Sequence, residues 1–400
     1  MAVVTSDQGR RRASRAQASF LYRPEVRQAI YQVVLVVLLV ALFYTLVHNT
    51  AANLRKQNIA SGFDFIERTA GFDVSQALIS FNSSMTYGRA FLVGLLNTLL
   101  VAGLGIVAAT ILGFVIGIAR LSTNWLIARL AAVYVEVIRN IPLLLQLFFW
   151  YFAVLKALPP PRQSLAVPGG GFLNVRGLYL PAPIPEPGFG VVLLTLLVGI
   201  VAAVAVNVWA RRRQRLTGQQ FPMLWTSLAL IVGMPLLVHV LSGSPIVLDY
   251  PELKGFNFQG GMVLQPEFLA LLLGLSIYTA SFIAEIVRAG IQGVSKGQKE
   301  AALAIGLTQG QSLRLVVIPQ AMRIIIPPLT SQFLNLTKNS SLAVAIGYPD
   351  LVSVWSGTVL NQTGQAVEVI LVTMCVFLAI SLLTSAFMNW FNRRMALVER

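Results

Sequence analysis

Residues 285–343 read EIVRAGIQGVSKGQKEAALAIGLTQGQSLRLVVIPQAMRIIIPPLTSQFLNLTKNSSLA, and the pattern in this stretch decides the fold. Within it, a polar segment at 288–323 separates two apolar runs and is too long for a simple turn. Ser295 and Thr308 each stand three residues before a glutamine, which is the capping-box pattern of a helix N-terminus. Gly306, between them, can adopt the left-handed conformation that ends a helix. The segment is therefore predicted to form two short helices.

The surfaces of these two helices allow two interpretations. The second helix is expected to run to about Val317 and to be stopped by Pro319. The first carries small side chains and one carboxylate on its exposed part, namely Glu300, Ala301, Ala302 and Ala304. Small side chains permit close approach by another protein, which favours docking. The alternative is a helix lying flat on the membrane, with lipid phosphates facing Lys296, Lys299 and Arg314.

Composition indicates that the flanking apolar runs belong to a membrane protein. Hydrophobic residues make up 56% of the 400 residues and charged residues 11%, whereas soluble domains average about 45–50% and about 25%. The 30 Lys and Arg residues gather between apolar runs, a pattern that sets orientation in a bilayer and predicts no nucleic-acid partner. Cys375 is the single cysteine, and His48 and His239 are far apart. Neither a metal, a cofactor nor a catalytic residue is therefore expected.

Eight apolar runs are long enough to cross a bilayer, which predicts an all-α integral membrane protein with about eight transmembrane helices. They lie at 30–47, 90–119, 125–155, 191–210, 221–241, 268–287, 324–346 and 367–390, and the third is expected to be bent. An even number of spans puts both termini on one side, and arginines near the N-terminus and at 211–215 place that side in the cytoplasm. A cleaved signal peptide is the alternative for the first run, although its length exceeds the typical about 7–15 residues.

These runs divide the chain into a core and an insertion. The predicted segments are a basic cytoplasmic tail at 1–29, an extra helix at 30–47, a periplasmic segment at 48–89, the two parts of the core at 90–156 and 267–390, the insertion at 157–266 and a cytoplasmic tail at 391–400. The first part of the insertion, 157–190, is rich in proline and glycine. That composition resists helix formation and predicts an external loop or linker.

The seventh span is the least lipid-like of the eight, because nine of the twelve residues at 330–341 are polar. Gln332, Asn335 and Asn339 recur at helical spacing and form one stripe, with Lys338 beside it. Such a helix must face protein or water. The amides could contact a transported solute or only join helices by hydrogen bonds. Lys338 could bind a solute carboxylate, snorkel to the interface or pair with a carboxylate of the protein.

Polar residues and prolines elsewhere are further candidates for the solute pathway. Glu136 is a possible partner for the lysine of the seventh span, but it is expected to pair with Arg139 on one helical face. Gln146 could line the pathway or make a helix-packing hydrogen bond. Pro327 and Pro328 permit a kink where gating could occur, or they simply begin a helix.

Several of these segments together resemble one protein family. The run Glu300-Ala301-Ala302, followed by Gly306 and then Ile318-Pro319, resembles the EAA loop of binding-protein-dependent ABC importer permeases. The whole stretch 285–343 resembles the polar amino-acid branch of that family. The segments GLLNTLLVAGLGIVAATILGFVIG at 94–117 and YVEVIRNIPLLLQLFFWYF at 134–152 are similar to the first two core helices of the branch. The extra N-terminal span and the insertion resemble the longer permeases of general L-amino-acid importers.

This resemblance implies a type I ABC importer (MetI-like) transmembrane core with an extra N-terminal helix and an inserted helix pair. It implies that the 288–323 loop sits in a groove of a cytoplasmic ATPase, a contact assigned to Glu300, Ala301, Ala302 and Gly306. The implied partners are two copies of that ATP-binding subunit, a second permease homologous to this chain, a periplasmic amino-acid-binding protein and an L-amino-acid substrate. The implied location is the bacterial inner membrane.

The resemblance also bears on the solute site. In related amino-acid permeases an aspartate often follows the lysine that corresponds to Lys338, and both positions lie at the solute. Asn339 follows the lysine here, which puts selectivity for a cationic side chain in doubt and fits a broad range of polar amino acids.

The same sequence argues against two other classes of protein. It has no G-x-x-x-x-G-K-[ST] motif, so the chain is expected not to hydrolyse ATP by that route and to depend on another subunit for energy. An ion-coupled secondary amino-acid transporter would use carboxylates within its spans, and these are scarce here. A membrane-embedded enzyme would need a cluster of nucleophile, base or metal ligands, and the sequence suggests none.

Overall fold

The computed structural model describes residues 24–56, 61–243 and 245–395, and most of these residues are helical. Seven helices are long and apolar enough to cross a membrane, and a sharply bent pair would make an eighth. The predicted class is therefore confirmed, and the protein is a multi-pass membrane protein. Residues 1–23 of the predicted basic tail and residues 396–400 of the C-terminal tail lie outside the described part of the chain.

The helices follow the predicted spans, mostly with longer bounds, although the helix of the fifth span begins two residues later than predicted, at Met223. They are α1 (Pro24–Lys56), α2 (Tyr87–Ala119), α3 (Trp125–Asn140), α4 (Leu143–Phe148), α5 (Phe189–Thr217), α6 (Met223–Leu228), α7 (Met234–Leu241), α8 (Pro266–Gln292), α9 (Lys296–Ala304), α10 (Gln309–Ser312), α11 (Ile318–Asn339), α12 (Leu360–Thr363) and α13 (Ala366–Met395). Wider π turns follow α4 at Phe149–Leu155, join α6 to α7 at Ala229–Gly233, join α10 to α11 at Leu313–Val317 and precede α12 at Val352–Val359. Short 3-10 turns lie at Asp64–Glu67, Pro161–Gln163 and Ser340–Ile346.

The core forms where α2 and α11 pack against α8, which is the most buried of the long helices. Two glycines let α2 approach α8 closely. A Cβ atom at Gly113 would lie 2.5 Å from Cγ2 of Ile283, and one at Gly117 would lie 2.8 Å from the carbonyl oxygen of Ala284. The backbones can meet only because these two residues lack side chains. This packing within the subunit places α8 and α11 around the candidate site.

The third predicted span breaks sharply after α3. The axes of Trp125–Asn140 and Leu143–Leu155 differ by 106°. Ile141 is extended because it precedes Pro142, so α3 cannot continue. The buried side chain of Gln146 then donates through Nε2 to the carbonyls of Ile138 and Ile141, both at 2.9 Å. Gln146 therefore stabilises the bend, which is the helix-packing alternative for this residue.

The insertion is more ordered than a loop or linker. Eight short strands flank the helix pair in the chain, four before it and four after it. They are β1 (Leu165–Val167), β2 (Gly171–Asn174), β3 (Gly177–Leu180), β4 (Ala182–Pro185), β5 (Ile246–Asp249), β6 (Glu252–Lys254), β7 (Asn257–Gln259) and β8 (Met262–Leu264). They form an antiparallel sheet in the order β1-β2-β3-β8 and two ribbons, β4-β5 and β6-β7. Pro183 and Pro185 are tolerated because β4 pairs on one side only. The proline-rich composition excluded helices but did not exclude strands at sheet edges.

The second helix of the polar segment does not end where the sequence suggested. Thr308 and Gln311 form the predicted capping box, with the Thr308 amide donating to Oε1 of Gln311 at 2.9 Å. The chain then passes through the π turn directly into α11, so the predicted stop at Pro319 is wrong. Pro319 lies in the first turn of α11, where a missing N–H costs little.

Two related predictions are also corrected. Pro327 and Pro328 lie inside α11 and do not begin it, so the helix lacks two backbone donors in its interior. The Ser295 side chain makes no capping hydrogen bond, and only its carbonyl accepts, from the amide of Gln298 at 3.0 Å. The side chain of Gln298 instead accepts a hydrogen bond from Nε2 of Gln320 at 3.1 Å, which ties α9 to α11. Gly306 has φ +87° and ends α9 as predicted.

Candidate solute cavity and coupling surface

A small polar cavity lies between α8 and α11. Its volume is about 260 Å³, and its lining residues are Tyr278, Thr279, Phe282, Gln332, Asn335 and Asn339. All three amides of the predicted stripe therefore share one cavity, since residues spaced three or four apart lie on one face of a helix. The opposite wall comes from α8 and supplies the rings of Tyr278 and Phe282 and the hydroxyls of Tyr278 and Thr279. The lining thus offers hydrogen-bond donors and acceptors and no charged group.

Lys338 lies beside this cavity and does not line it. Its side chain is exposed, and the salt bridges of the described residues do not include it. Glu136 is exposed on α3 and forms no salt bridge in that part of the chain either, so pairing with Lys338 does not occur.

The predicted Glu136–Arg139 pair is also absent from the described residues, and Arg139 has a different neighbour. Its guanidinium carbon lies 5.0 Å from the ring centre of Phe282, a residue that lines the cavity. A guanidinium over an aromatic face is attracted by the ring quadrupole, and here this contact replaces the ion pair. Tyr134 also joins α3 to α8, because its hydroxyl donates to the carbonyl of Ile277 at 2.7 Å. The spacing of Glu136 and Arg139 predicted an ion pair, whereas the position of Arg139 next to the cavity has no signal within α3.

A cluster of three charged residues joins α2 to α8 at the end that leads into the polar segment. Glu285 accepts hydrogen bonds from Arg120 at Oε2 and from Arg288 at Oε1, and Nε of Arg288 also donates to Oε2 at 3.4 Å. Arg288 donates in addition to Oε1 of Gln292 at 2.6 Å. The spacing of Glu285 and Arg288 could have indicated half of this cluster. The pairing with Arg120 joins residues 165 positions apart and had no signal in the sequence. The cluster therefore ties the end of α2 to the last turns of α8.

The candidate coupling surface is the outer face of α9 and the turn after it. Glu300, Ala301 and Ala304 are exposed, as predicted, but Ala302 is buried and the expectation of its exposure is wrong. Gly306 is exposed in the turn after α9. Ala302 faces inward because α9 folds back on the π turn at Leu313–Val317. Ile305 is 78% exposed and is the most prominent apolar side chain of this surface.

A groove of about 710 Å³ lies behind this surface, between the end of α8 and the start of α10. Lys296 and Lys299 line it together with apolar side chains that include Ile291, Leu313 and Val317. Lys296, Lys299 and Arg314 are all exposed, and the first two line this groove.

A buried carboxyl group lies in the turn after α11. Asp350 is 0% exposed, its Oδ1 accepts from the amide of Ser353 at 2.8 Å, and its Oδ2 has no hydrogen-bond partner. Burial raises the pKa of this carboxyl to about 7. Asn97 on α2 holds the same turn through the carbonyl of Pro349 at 2.9 Å. No pattern in the sequence distinguishes Asp350, because a single carboxylate beside a proline is common in turns.

Comparison with known proteins assigns a family to this architecture. The family described as binding-protein-dependent transport system inner membrane component matches residues 195–397. The chain is 58% identical over 382 residues to the general L-amino acid transport system permease protein AapQ of Rhizobium johnstonii, covering 96% of this chain and 95% of the relative. It is 53% identical to the putative amino-acid ABC transporter permease protein YhdX of Escherichia coli, covering 98% and 99% of the two chains.

A third relative extends the match. The glutamate/glutamine/aspartate/asparagine transport system permease protein BztB of Rhodobacter capsulatus is 42% identical over 411 aligned residues, which cover 95% of this chain and 96% of the relative. These matches favour an ABC permease over an ion-coupled secondary transporter. On the strength of its helical membrane core and these full-length relatives, the chain belongs to the family of inner membrane components of binding-protein-dependent transport systems.

Proposed function

We propose that this chain is the permease subunit of an ATP-driven importer that passes polar L-amino acids inward across the bacterial inner membrane. The observation that carries the proposal is the amide-lined cavity between α8 and α11, which lies in the same helices that lead into the exposed α9 surface. Because α9 lies between α8 and α11 in the chain, a movement of the coupling surface can be passed to the helices that line the cavity. Relatives named as amino-acid permeases support the choice of substrate class.

The chemistry of the cavity supports a polar and broad substrate range. Gln332, Asn335 and Asn339 each offer both donors and acceptors, so they can bind amide, hydroxyl or carboxylate groups of different solutes. The cavity contains no acidic side chain that would select a cationic solute. Its volume of about 260 Å³ lies just below the range of about 300–1,000 Å³ for pockets that bind drug-sized molecules, which suits a small solute.

The pore requires a second permease subunit in this proposal. One chain supplies two helices to the cavity, and Lys338 next to it is exposed. A homologous permease related by a twofold axis would cover this face and bring the exposed lysine into the interior of the assembly. There Lys338 would bind the solute carboxylate, while the cavity amides bind the side chain. Glu136, which is exposed on α3, would face the same interior.

Energy reaches the cavity through α9 in this proposal. A cytoplasmic ATP-binding subunit, present in two copies, would receive Glu300, Ala301, Gly306 and the exposed Ile305 in a groove. Buried Ala302 would serve the contact indirectly, by letting α9 pack closely on the turn behind it. A periplasmic amino-acid-binding protein would deliver the solute to the opposite face. Both termini and the 211–215 arginines lie in the cytoplasm in this arrangement.

A transport assay tests the solute site. The complete complex with Asn335→Ala should take up radiolabelled glutamine at least fivefold more slowly than wild type, because a lost solute hydrogen bond costs about 1 kcal/mol. Asn361→Ala is the matched control, since Asn361 is an exposed amide on α12 and is not among the residues that line the cavity. Lys338→Ala should also reduce uptake while membrane assembly stays intact. Equal uptake by Asn335→Ala and Asn361→Ala would refute the cavity assignment.

Cross-linking tests the coupling surface. A cysteine at Ile305 should cross-link to the ATP-binding subunit, whereas one at Phe256 should not, although both side chains are more than three-quarters exposed, at 78% and 77%. Phe256 is the control because it lies in the β6-β7 hairpin of the insertion. Cross-links from Ile305 to lipid alone would refute the proposed docking and leave the solute cavity to be judged by uptake.

A further inference from the structure

The two helices of the insertion pack mainly against each other. α5 packs against α6, α7 and the π turn between them, and no core helix of the described residues makes a comparably extensive contact with it. The two helices touch through their backbones, since a Cβ atom at Gly199 would lie 2.2 Å from the carbonyl oxygen of Leu230. The pair therefore forms a separate helical hairpin, which is connected to the core through the strands of the insertion.

Four arginines lie at the far end of this hairpin. Arg211, Arg212, Arg213 and Arg215 are all exposed on the last turns of α5. The apolar part of α5 from 191 to 210 is about 30 Å long at 1.5 Å per residue, which equals the thickness of the hydrocarbon core. The first guanidinium groups therefore reach the depth of the lipid headgroups when the apolar part of α5 fills the bilayer.

These arginines form no salt bridge within the part of the chain that the structure describes. The sequence from 187 to 248 contains no Asp or Glu, and none of the salt bridges of the described residues involves the cluster. Arg211 and Arg215 are four residues apart on a helix, a spacing at which like charges destabilise it. An anion bound between them would remove this repulsion.

The surroundings of the cluster indicate which anion binds. The Arg213 guanidinium carbon lies 5.4 Å from the ring centre of Trp209, and the Trp209 ring meets the Phe221 ring edge-on with centres 5.5 Å apart. Trp225 is 70% exposed on the second helix of the pair. Aromatic rings at this depth mark the membrane interface, and guanidinium groups bind phosphate through two parallel hydrogen bonds.

We propose that Arg211, Arg212, Arg213 and Arg215 form a binding site for the phosphate headgroup of an anionic phospholipid, and that this lipid anchors the inserted helix pair. Each arginine near an anionic membrane surface strengthens binding about fivefold. The apolar faces of α5 and α7 receive the acyl chains. This site is independent of the solute pathway and of the coupling surface.

Native mass spectrometry of the complete complex tests the site. The detergent-solubilised complex is titrated with phosphatidylglycerol and, separately, with phosphatidylcholine that carries the same acyl chains. Phosphatidylglycerol should bind with an apparent Kd at least tenfold below that of phosphatidylcholine. Arg212→Gln/Arg215→Gln should raise the Kd for phosphatidylglycerol at least tenfold, because two of the four charges are lost. Glutamine has nearly the helix propensity of arginine, so α5 should still form.

A matched control separates the site from general charge. Arg162→Gln/Arg176→Gln removes the same two positive charges from the strand-forming part of the insertion and should leave the Kd within twofold of wild type. Equal losses in both double variants, or no preference for phosphatidylglycerol in wild type, would overturn the proposal. Displacement of the lipid by millimolar inorganic phosphate would identify a soluble-anion site and overturn it as well. If the double variant fails to assemble, Arg212→Gln alone should raise the Kd at least threefold, and an unchanged Kd would refute the site.

Discussion

Removing the carboxylate of Glu285 should destabilise the core more than removing an ordinary surface charge. The Glu285 side chain is 27% exposed and binds two arginines, of which Arg120 is 13% exposed. Glu285→Gln keeps the shape of the side chain and leaves Arg120, the less exposed of the two, without its counter-charge. We therefore expect the α2–α8 contact at this end of the core to weaken.

The expected magnitude follows from the burial of the two partners. Breaking a fully buried ion pair by removing one partner costs about 3–5 kcal/mol, whereas an exposed pair contributes about 0–1 kcal/mol. The Arg120–Glu285 pair lies between these limits, so Glu285→Gln should lower the free energy of unfolding by about 2 kcal/mol. Arg288 is 30% exposed, and its removal leaves the pair with Arg120 intact. Arg288→Gln should therefore cost about 0.5–1 kcal/mol.

Equilibrium unfolding in mixed detergent micelles measures these changes. The matched control is Lys254→Gln, which breaks a pair with Glu252 whose side chains are 59% and 69% exposed and which should change stability by less than about 0.5 kcal/mol. The double variant Arg120→Gln/Glu285→Gln should be less destabilised than the sum of its single variants, because neither charge is left alone. A change of less than about 0.5 kcal/mol in Glu285→Gln would refute this account of the cluster.

Three further predictions follow from the geometry. Asp350 has a folded-state pKa of about 7 against an ordinary value of 3.8, so the folded protein binds the carboxyl proton more tightly than the unfolded chain does. As the pH rises from about 4 to about 7, the free energy of unfolding should therefore fall by up to about 4 kcal/mol. Asp350→Asn should remove this pH dependence in the same unfolding assay, and an unchanged slope would contradict the prediction. Gly113→Ala should destabilise the protein by about 1–3 kcal/mol, because the new Cβ atom would clash with Ile283. In Gly103→Ala, on the same helix, the new Cβ atom has no neighbour within 4 Å, so this control should be neutral or stabilising. Equal effects of the two substitutions would argue against the close α2–α8 packing. Gly306→Ala should reduce solute-stimulated ATP hydrolysis by the complex, because φ +87° is strained for alanine and the turn after α9 would shift. Stimulation at the wild-type level in this variant would show that the turn is not needed.

Local patterns predicted the elements that depend on neighbouring residues. The Thr308 capping box and the left-handed Gly306 were both predicted, because each depends only on residues within a few positions. The predicted stop at Pro319 was wrong because it, too, was judged from neighbouring residues alone. A proline both ends one helix and begins the next, and only the path of the chain through the π turn shows which applies.

In the candidate site as well, some features follow from local patterns and others depend on contacts between helices. Helical spacing alone placed Gln332, Asn335 and Asn339 on one face, and that face lines the cavity. The role of Gln146 depends on carbonyls freed by the break before Pro142, and the position of Arg139 depends on where Phe282 lies on another helix. No spacing within one helix contains that information.

The sequence by itself determined that this chain is a helical membrane protein, where its spans lie and which helical face is polar, because hydropathy and helical period are local properties that a bilayer enforces. The tertiary structure alone decided that Glu285 pairs with Arg120, that Ala302 is buried, that Asn97 of α2 holds the turn at Pro349 and that the insertion forms strands. These contacts join residues far apart in the chain. They are selected by which surfaces meet when the helices pack, and a linear pattern does not record that choice.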